Sequence, residues 1–280
     1  MKTRILSGLI MLPLLVFIIL RGWVLYAGCF ALTLLAVYEF YRGFKELDIK
    51  PSYPIAVGST ILLYGLGVLG SVGTENSTSF FSSMFTFMIW IFITVLACLL
   101  YLFKIEDRKL EDAMATLVGI FYVVFFCYHL ALLGLMPPVF SITVWLVVIT
   151  AFGTDICAYF AGVTMGKHKL CPVISPKKTW EGAIGGVLGS MILCLIFGLI
   201  FMKGAILLCL IIGFLGSIVS MFGDLTASIF KRKMGIKDYG NLIPGHGGIM
   251  DRFDSILFTA PLVYYVVVIV FAIGEMGTWN

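Results

Sequence analysis

The side chains able to do chemistry are gathered into two polar stretches of an otherwise apolar chain. The first, residues 166–182, reads Gly-Lys-His-Lys-Leu-Cys-Pro-Val-Ile-Ser-Pro-Lys-Lys-Thr-Trp-Glu-Gly. The second, residues 223–255, holds Gly223-Asp224, the basic run Lys231-Arg232-Lys233, then Lys237-Asp238-Tyr239-Gly240, and ends on Asp251-Arg252-Phe253-Asp254. Residues three apart on a helix share a face, so Asp251 and Asp254 are placed to address one object, with Asp224 as a third carboxylate. Carboxylates brought together repel unless something cationic lies between them. Hard divalent ions such as Mg²⁺ take oxygen ligands and keep waters that a phosphate can replace. The plain alternative is a set of interfacial charges balanced by neighbouring Lys and Arg.

The surroundings favour an anionic substrate. Lys231, Arg232, Lys237 and Arg252 bring positive charge to the same stretch. Gly245, Gly247 and Gly248 flank His246 and permit backbone conformations closed to other residues, and such a turn can aim N–H groups at an anion. Lys233, Lys109 and Arg42 are read instead as topology-setting charges that touch anionic lipid heads. In the first stretch, Ser175-Pro176 predicts a helix start with Ser as N-cap and Pro at the first helical position. Lys177 and Lys178 would then decorate a helix N-terminus, where phosphate is favoured. Asp155 lies inside an apolar run, a costly place that calls for a polar cavity or a partner; a structural pair with a Lys is the alternative. His129, alone on an apolar face, is read as structural. Neither a G-x-x-x-x-G-K-[ST] loop nor a G-x-G-x-x-G fingerprint occurs, so a nucleotide must bind by another route.

The elements that position these groups must be membrane helices. Hydrophobic residues make up 61% of the 280 positions and charged residues 12%, whereas a soluble domain is about a quarter charged. Mean hydropathy is +1.08. A spanning helix needs about 20 mostly apolar residues, and nine segments meet or approach this: 5–20, 23–40, 54–72, 84–103, 113–135, 139–163, 182–202, 205–222 and 256–274. The first follows Lys2 and Arg4 and lacks a small-x-small cleavage site, so it is kept as a helix rather than a signal peptide. With the N-terminus inside, all but two of the 19 Lys and Arg residues (Arg21 and Lys203) fall on the cytoplasmic side, as the positive-inside rule requires. The expected fold is therefore an all-α polytopic membrane protein of about nine helices, a single membrane domain with N-terminal helices in 1–135 and a catalytic part in 136–280. The pairs Gly182/Gly186 and Gly185/Gly189 are small-x-x-x-small patterns that let helices approach closely. The seven cysteines form no C-x-x-C pair and read as packed thiols.

Taken together, the motifs resemble one family. Ser228-x-Phe230-Lys231-Arg232, Lys237-Asp238-x-Gly240 and Ile243-Pro244-x-His246-Gly247-Gly248-Ile249-x-Asp251-Arg252-Phe253-Asp254 are similar to the signature of the phosphatidate cytidylyltransferases (CDP-diacylglycerol synthases). So are Thr154-Asp155, Gly166-Lys167-His168-Lys169-Leu170, Ser175-Pro176-Lys177-Lys178-Thr179-Trp180-Glu181-Gly182 and Gly223-Asp224. Cys171 departs from the pattern, where relatives often carry a small polar residue.

The resemblance implies the reaction CTP + phosphatidate → CDP-diacylglycerol + pyrophosphate, with Mg²⁺ or a similar divalent cation, singly or as a pair. It implies no nucleic acid partner, surrounding membrane lipids, a homodimer, and a bacterial inner membrane with the site facing the cytoplasm. Asp224 and Asp251 are then the expected metal ligands, with Asp254 a third. Lys231, Arg232, Lys237 and His246 join the two ligands as catalytic groups. Asp155, Lys167, Ser175, Lys177, Lys178, Asp238, Gly247, Gly248 and Arg252 are expected to bind substrate. Two other classes stay open: a CTP-dependent polyprenol or dolichol kinase, and a transporter with interrupted helices.

Overall fold

The structure, a computed structural model, describes residues 16–72, 79–242 and 247–272. Its helices are α1 (Gly22–Gly43), α2 (Tyr53–Val72), α3 (Ser79–Tyr101), α4 (Leu110–Gly119), α5 (Phe126–Leu135), the short α6 (Pro138–Ser141), α7 (Val144–Met165), α8 (Trp180–Phe201), α9 (Ile206–Lys233) and α10 (Met250–Ala272). One antiparallel hairpin, β1 (Lys169–Cys171) with β2 (Ser175–Thr179), interrupts them. Among the described residues, seven helices are long and apolar enough to cross a membrane, and Phe85–Tyr101 is a shorter apolar helix. The chain is an all-α polytopic membrane protein. The expected first segment, 5–20, lies largely outside the described residues, which begin within it at a helical stretch over 16–20. The other eight expected segments fall on helices over most of their length, the last running on past the described residues.

The described residues form two compact units. One comprises residues 29–128; the other joins residues up to Gly28 with those from His129 onward and carries every signature motif. In the first unit, the Trp90 indole N–H donates to Ser59 Oγ at 2.8 Å, and Ser59 Oγ also meets Thr94 Oγ1 at 2.8 Å. These buried polar bonds lock α2 onto α3, where apolar side chains facing lipid give little preference for register.

In the second unit, α7 and α8 lie almost backbone to backbone. A Cβ on Gly182 would stand 2.8 Å from the Ala158 carbonyl oxygen, and one on Gly186 would stand 3.0 Å from Ala158 Cβ. The small-residue spacing in α8 therefore does what its pattern predicts. At Gly223, a Cβ would lie 2.7 Å from the Asp254 carbonyl oxygen, so α9 meets α10 at the level of Asp224. His129 is buried and its Nε2 lies 3.0 Å from the Tyr265 hydroxyl, a structural bond as read from its apolar setting.

Two local expectations are corrected. Ser175 does not cap a helix: Ser175–Thr179 is strand β2, paired to β1 in the register Lys169↔Thr179. Helix α8 starts five residues later, where Thr179 is extended and its Oγ1 accepts from Gly182 N at 3.1 Å. Proline fixes only its own φ and pushes the preceding residue toward extended backbone, which suits a strand as well as a cap. The second correction concerns the eighth span, expected to end at 222. Helix α9 runs on to Lys233, so Asp224, Ser228, Lys231 and Arg232 are helical residues rather than loop residues. It stops where Gly235 takes φ +71°, with Ile236 N donating to Lys231 O and Gly235 N to Arg232 O, the paired bonds of a Schellman cap.

The α7–α8 contact makes a sharp prediction. Gly186→Leu forces the helices apart and costs at least about 1–3 kcal/mol of overpacking, seen as loss of monodisperse protein or a lower Tm. Gly58→Ala, an exposed helical position where an added Cβ meets nothing, raises stability by up to about 1 kcal/mol. Equal Tm values for the two variants contradict this packing.

Candidate active site

Four elements of the signature-bearing unit bring the predicted residues together: the middle of α7, strand β2, the C-terminal part of α9 and the first turns of α10. The hairpin is fastened first. Glu181, in the first turn of α8, accepts from Lys167 N at 3.1 Å and His168 N at 3.2 Å, and its Oε1 lies 2.6 Å from His168 Nδ1. Trp180 N donates to His168 O at 2.9 Å. This clasp turns β2 so that Lys178 reaches the Asp224 carboxylate as an ion pair. Lys178 Nζ is itself shut off from solvent. Lys177, one residue earlier on a strand where side chains alternate, is exposed. The two lysines thus have different surroundings, and neither decorates a helix N-terminus.

Asp251 is the best-satisfied of the carboxylates. Its side chain is 3% exposed. Oδ1 accepts from Lys231 Nζ at 2.9 Å, while Oδ2 accepts from Tyr239 N at 2.9 Å and Gly248 N at 3.0 Å. Gly247 sits at φ +84°, and a Cβ there would stand 2.9 Å from Asp251 Oδ2. The glycine requirement inferred from sequence is real at this position, although the N–H it helps to aim goes to Asp251. Tyr239 closes the knot from outside, its hydroxyl donating to Ala227 O at 3.1 Å and its ring lying 5.5 Å from Lys231 Nζ. Burial, and then the Asp251 and Asp254 charges, push that hydroxyl well above the ordinary phenol range, so it stays a neutral donor.

Asp254 faces a different group. It is buried, accepts from Ser255 N at 2.7 Å, and interacts electrostatically with Asp224, Lys231 and Asp155. Asp155 in turn interacts with Asp224, Lys178 and Arg252, and Ser255 Oγ lies 3.5 Å from its Oδ2. Asp155 thus answers both readings of its lone carboxylate: it faces a polar group, and Lys178 is part of it. Asp155, Asp224 and Asp254 form one electrostatic set balanced by Lys178, Lys231 and Arg252. Asp251 shares Lys231 with that set.

The remaining predicted residues are more open. Lys167, Arg232, Lys237 and Asp238 are exposed, Ser175 is half-buried, and His246 lies outside the described residues. Sequence reasoning assigned no role to Glu181, Tyr239 or Ser255. Glu181 had a signal, since it stands within the quoted motif. Tyr239 acts on Asp251 through its main-chain N–H, which no residue type announces, and Ser255 meets Asp155 across 100 positions of chain.

The donor set suits a hard divalent cation, being carboxylate oxygen throughout. Among the described residues no three His, Cys, Asp or Glu groups converge at ion-binding spacing. An ion held here would therefore need substrate phosphate and water to complete its shell, as Mg²⁺ commonly does.

Comparison with known proteins joins this arrangement to a family. Residues 2–270 match the model of the cytidylyltransferase family. The chain is 34% identical to the phosphatidate cytidylyltransferase of Synechocystis sp. over 90% of its own length and 91% of that protein. It is 34% identical to the Bacillus subtilis phosphatidate cytidylyltransferase, over 95% and 97%, and 30% identical to that of Mycobacterium bovis, over 92% and 84%. The chain belongs to the phosphatidate cytidylyltransferase family. Within this phosphatidate cytidylyltransferase fold, the polar knot on Asp251 and the set around Asp224 are the features that the apolar helices hold in place.

The knot separates two variants of neighbouring residues. Asp251→Asn removes the charge that Lys231 pairs with at 2.9 Å inside the knot, and breaking such a buried pair costs about 3–5 kcal/mol. Tyr239→Phe keeps the main-chain N–H on Asp251 and loses one hydroxyl bond, worth about 1 kcal/mol. Thermal unfolding in detergent should rank them in that order, with Tyr239→Phe retaining most of its activity. A Tyr239→Phe protein as unstable as Asp251→Asn contradicts the assignment.

Proposed function

We propose that this chain catalyses CTP + phosphatidate → CDP-diacylglycerol + pyrophosphate, the cytidylyl transfer of phospholipid biosynthesis. Family membership over nearly the whole chain is the observation that carries the reading. The site chemistry agrees with it. The attacking group is a phosphate oxygen of phosphatidate, already anionic, so no strong general base is needed. It bonds to the α-phosphorus of CTP as the bond to the bridging oxygen breaks, and that oxygen leaves with pyrophosphate. The difficulty is to hold two polyanions together, and phosphoryl transfer is mostly positioning and charge neutralisation.

The residue roles follow from this need. Asp224 and Asp251, with Asp254, would supply the carboxylates for Mg²⁺ or a similar divalent cation, drawing together on it only as substrate binds, and the ion would neutralise the triphosphate and polarise its oxygens. Lys178 and Lys231, each paired to one of those aspartates, exchange a carboxylate for a substrate phosphate. Arg232, Lys237, Lys177, Lys167 and Arg252 add positive charge around the two substrates, and Ser175, Asp238, Gly247, Gly248 and Asp155 shape the site. His246 contacts the pyrophosphate. The site faces the cytoplasm of a bacterial cell, the side that the Lys and Arg asymmetry assigns to it.

Purified protein given phosphatidate and CTP labelled on the cytosine ring should move label into the organic-extractable lipid, with pyrophosphate in equal amount. Labelled CDP in water with unlabelled lipid would mean γ-phosphoryl transfer and a lipid kinase instead. Asp224→Asn should nearly abolish turnover while the protein still inserts, and chelator should reversibly do the same to the parent. An Asp224→Asn protein of ordinary activity removes that residue from the site.

Orientation is tested independently. Ser77→Cys and Ser175→Cys, each in a background without native cysteines, should label from opposite sides with a membrane-impermeant thiol reagent. Labelling of both from one side overturns the topology. Ser77 lies outside the described residues, and its placement rests on the hydropathy pattern alone.

A further inference from the structure

The reaction site accounts for the charges between residues 155 and 255, but not for a second basic group in the unit of residues 29–128. Arg42, Lys45 and Lys50 fall within nine positions where the chain leaves α1 and enters α2. A 3-10 turn over Phe44–Leu47 and a left-handed Asp48, at φ 53°, reverse the chain between them. Buried polar bonds fix this turn to α4. Lys50 N donates to Asp112 Oδ1 at 2.7 Å, Ser52 N to Thr116 Oγ1 at 2.8 Å, and the Tyr41 hydroxyl to Thr116 O at 2.6 Å. The turn is therefore held in shape rather than merely exposed.

It borders an open cavity of about 530 Å³ lined by Tyr38, Tyr41, Arg42, Lys45, Asp48, Lys50 and Tyr53 among others. That volume lies within the range of small-molecule sites, roughly 300–1,000 Å³. Its charge is unbalanced. Asp48, the acidic lining residue, is claimed from outside the cavity by Lys109, whose Nζ lies 2.9 Å from Oδ2. That bond, more than Lys50, holds the Asp48 carboxyl below its ordinary range. Arg42, Lys45 and Lys50 are exposed and make no ion pair among the described residues. Complementing the dipole at the C-terminal end of α1 would explain Arg42 alone; it explains neither Lys50 nor the cavity.

The rim indicates what occupies it. The helix ending here, Gly22–Leu47, is long and apolar enough to cross a membrane, so its basic end stands at headgroup level. Tyr38 and Tyr53 lie there edge to face at 5.8 Å, 53% and 37% exposed, and such amphipathic rings belong to the membrane–water interface. A cavity lined by both cations and tyrosines fits a phosphate that carries an apolar body.

We propose that this pocket binds the phosphate-bearing headgroup of an anionic phospholipid, with Arg42, Lys45 and Lys50 on the phosphate and Tyr38 and Tyr53 against the glycerol end of the chains. It is a lipid site in addition to the one where the reaction takes place, and it shares no lining residue with it. A free phosphate offers the same charge without the apolar body, so the two sources can be told apart.

The test uses the full chain in phosphatidylcholine nanodiscs containing phosphatidylglycerol with a photoreactive headgroup. Phosphatidylglycerol is a phosphodiester without the terminal phosphate that the proposed reaction acts on, so the result stands whether or not that reaction does. Cross-linked peptides should map to residues 38–53. Labelling there should fall about fivefold on loss of one charge, as in Lys45→Gln, because a basic residue near an anionic surface is worth about that factor. It should fall further in the Arg42→Gln/Lys45→Gln/Lys50→Gln protein, with unchanged labelling elsewhere. If the triple variant does not fold, Lys45→Gln decides alone, since that exposed side chain holds nothing in the fold. Undiminished labelling of 38–53 in a folded variant overturns the proposal, as does equal labelling by the phosphatidylcholine analogue. Stabilisation of the parent, but not of Lys45→Gln, by inorganic phosphate in detergent, with no phosphatidylglycerol cross-link at 38–53, overturns the lipid assignment in favour of a free anion.

Discussion

Asp251 takes three hydrogen bonds from three separate places in the chain: an ammonium from the last turn of α9, an amide from the segment beyond Gly235, and an amide from just before α10. All three are satisfied only if Tyr239 and Gly248 are both brought to the start of α10 beside Lys231. Each donor would otherwise be buried without an acceptor, at a cost of about 1–3 kcal/mol, more for the charge. Apolar helices in lipid discriminate weakly among registers. A charged knot of this kind discriminates strongly, because sliding α9 by one turn takes Lys231 from Asp251 and sliding α10 takes Asp251 from all three donors. The positions of Lys231, Asp254 and the glycine-rich turn are consequences of it.

Close backbone approach does the rest. Small residues bring α7 onto α8 and α9 onto α10, and the approach at Gly223 sets Asp224 beside the backbone of Asp254. That proximity places like charges in one another's field, which a membrane protein tolerates only with cations at hand. Lys178 arrives from a strand and Lys231 from a helix, so the balancing charges come from elements that can be positioned independently. A site whose carboxylates already require cations, and whose lysines can trade a carboxylate for a phosphate, is well matched to a reaction between two polyanions.

In the other unit the same economy of charge appears at a helix end. Arg42 reads from sequence as a topology-setting residue that touches lipid heads, a role needing no particular geometry. The turn fastened through Asp112 and Thr116 gives it one, by setting the charges along an open cavity and leaving Asp48 to Lys109. A topological signal and a binding site can therefore be built from the same side chains.

Hydropathy alone placed eight of its nine expected segments on helices over most of their length, because the chain's solvent over most of its length is lipid and that requirement is local. The motifs likewise announced the family, the small-residue spacing announced the α7–α8 contact, and Gly247 announced its own positive φ. Three things needed the tertiary structure. Ser175-Pro176 carries a good local signal for a helix start, yet pairing with Lys169–Cys171, a nonlocal bond set, makes it a strand and moves the cap to Thr179. Helix α9 outlasts its apolar segment because polar residues without Pro continue a helix until Gly235 stops it, and hydropathy cannot see past the interface. Which partner each carboxylate meets was beyond any pattern: Asp251 with Lys231, Asp224 with Lys178 and Asp155 with Ser255 are separated by 20, 46 and 100 positions of chain, and only the packing of three helices and a strand brings each pair within reach.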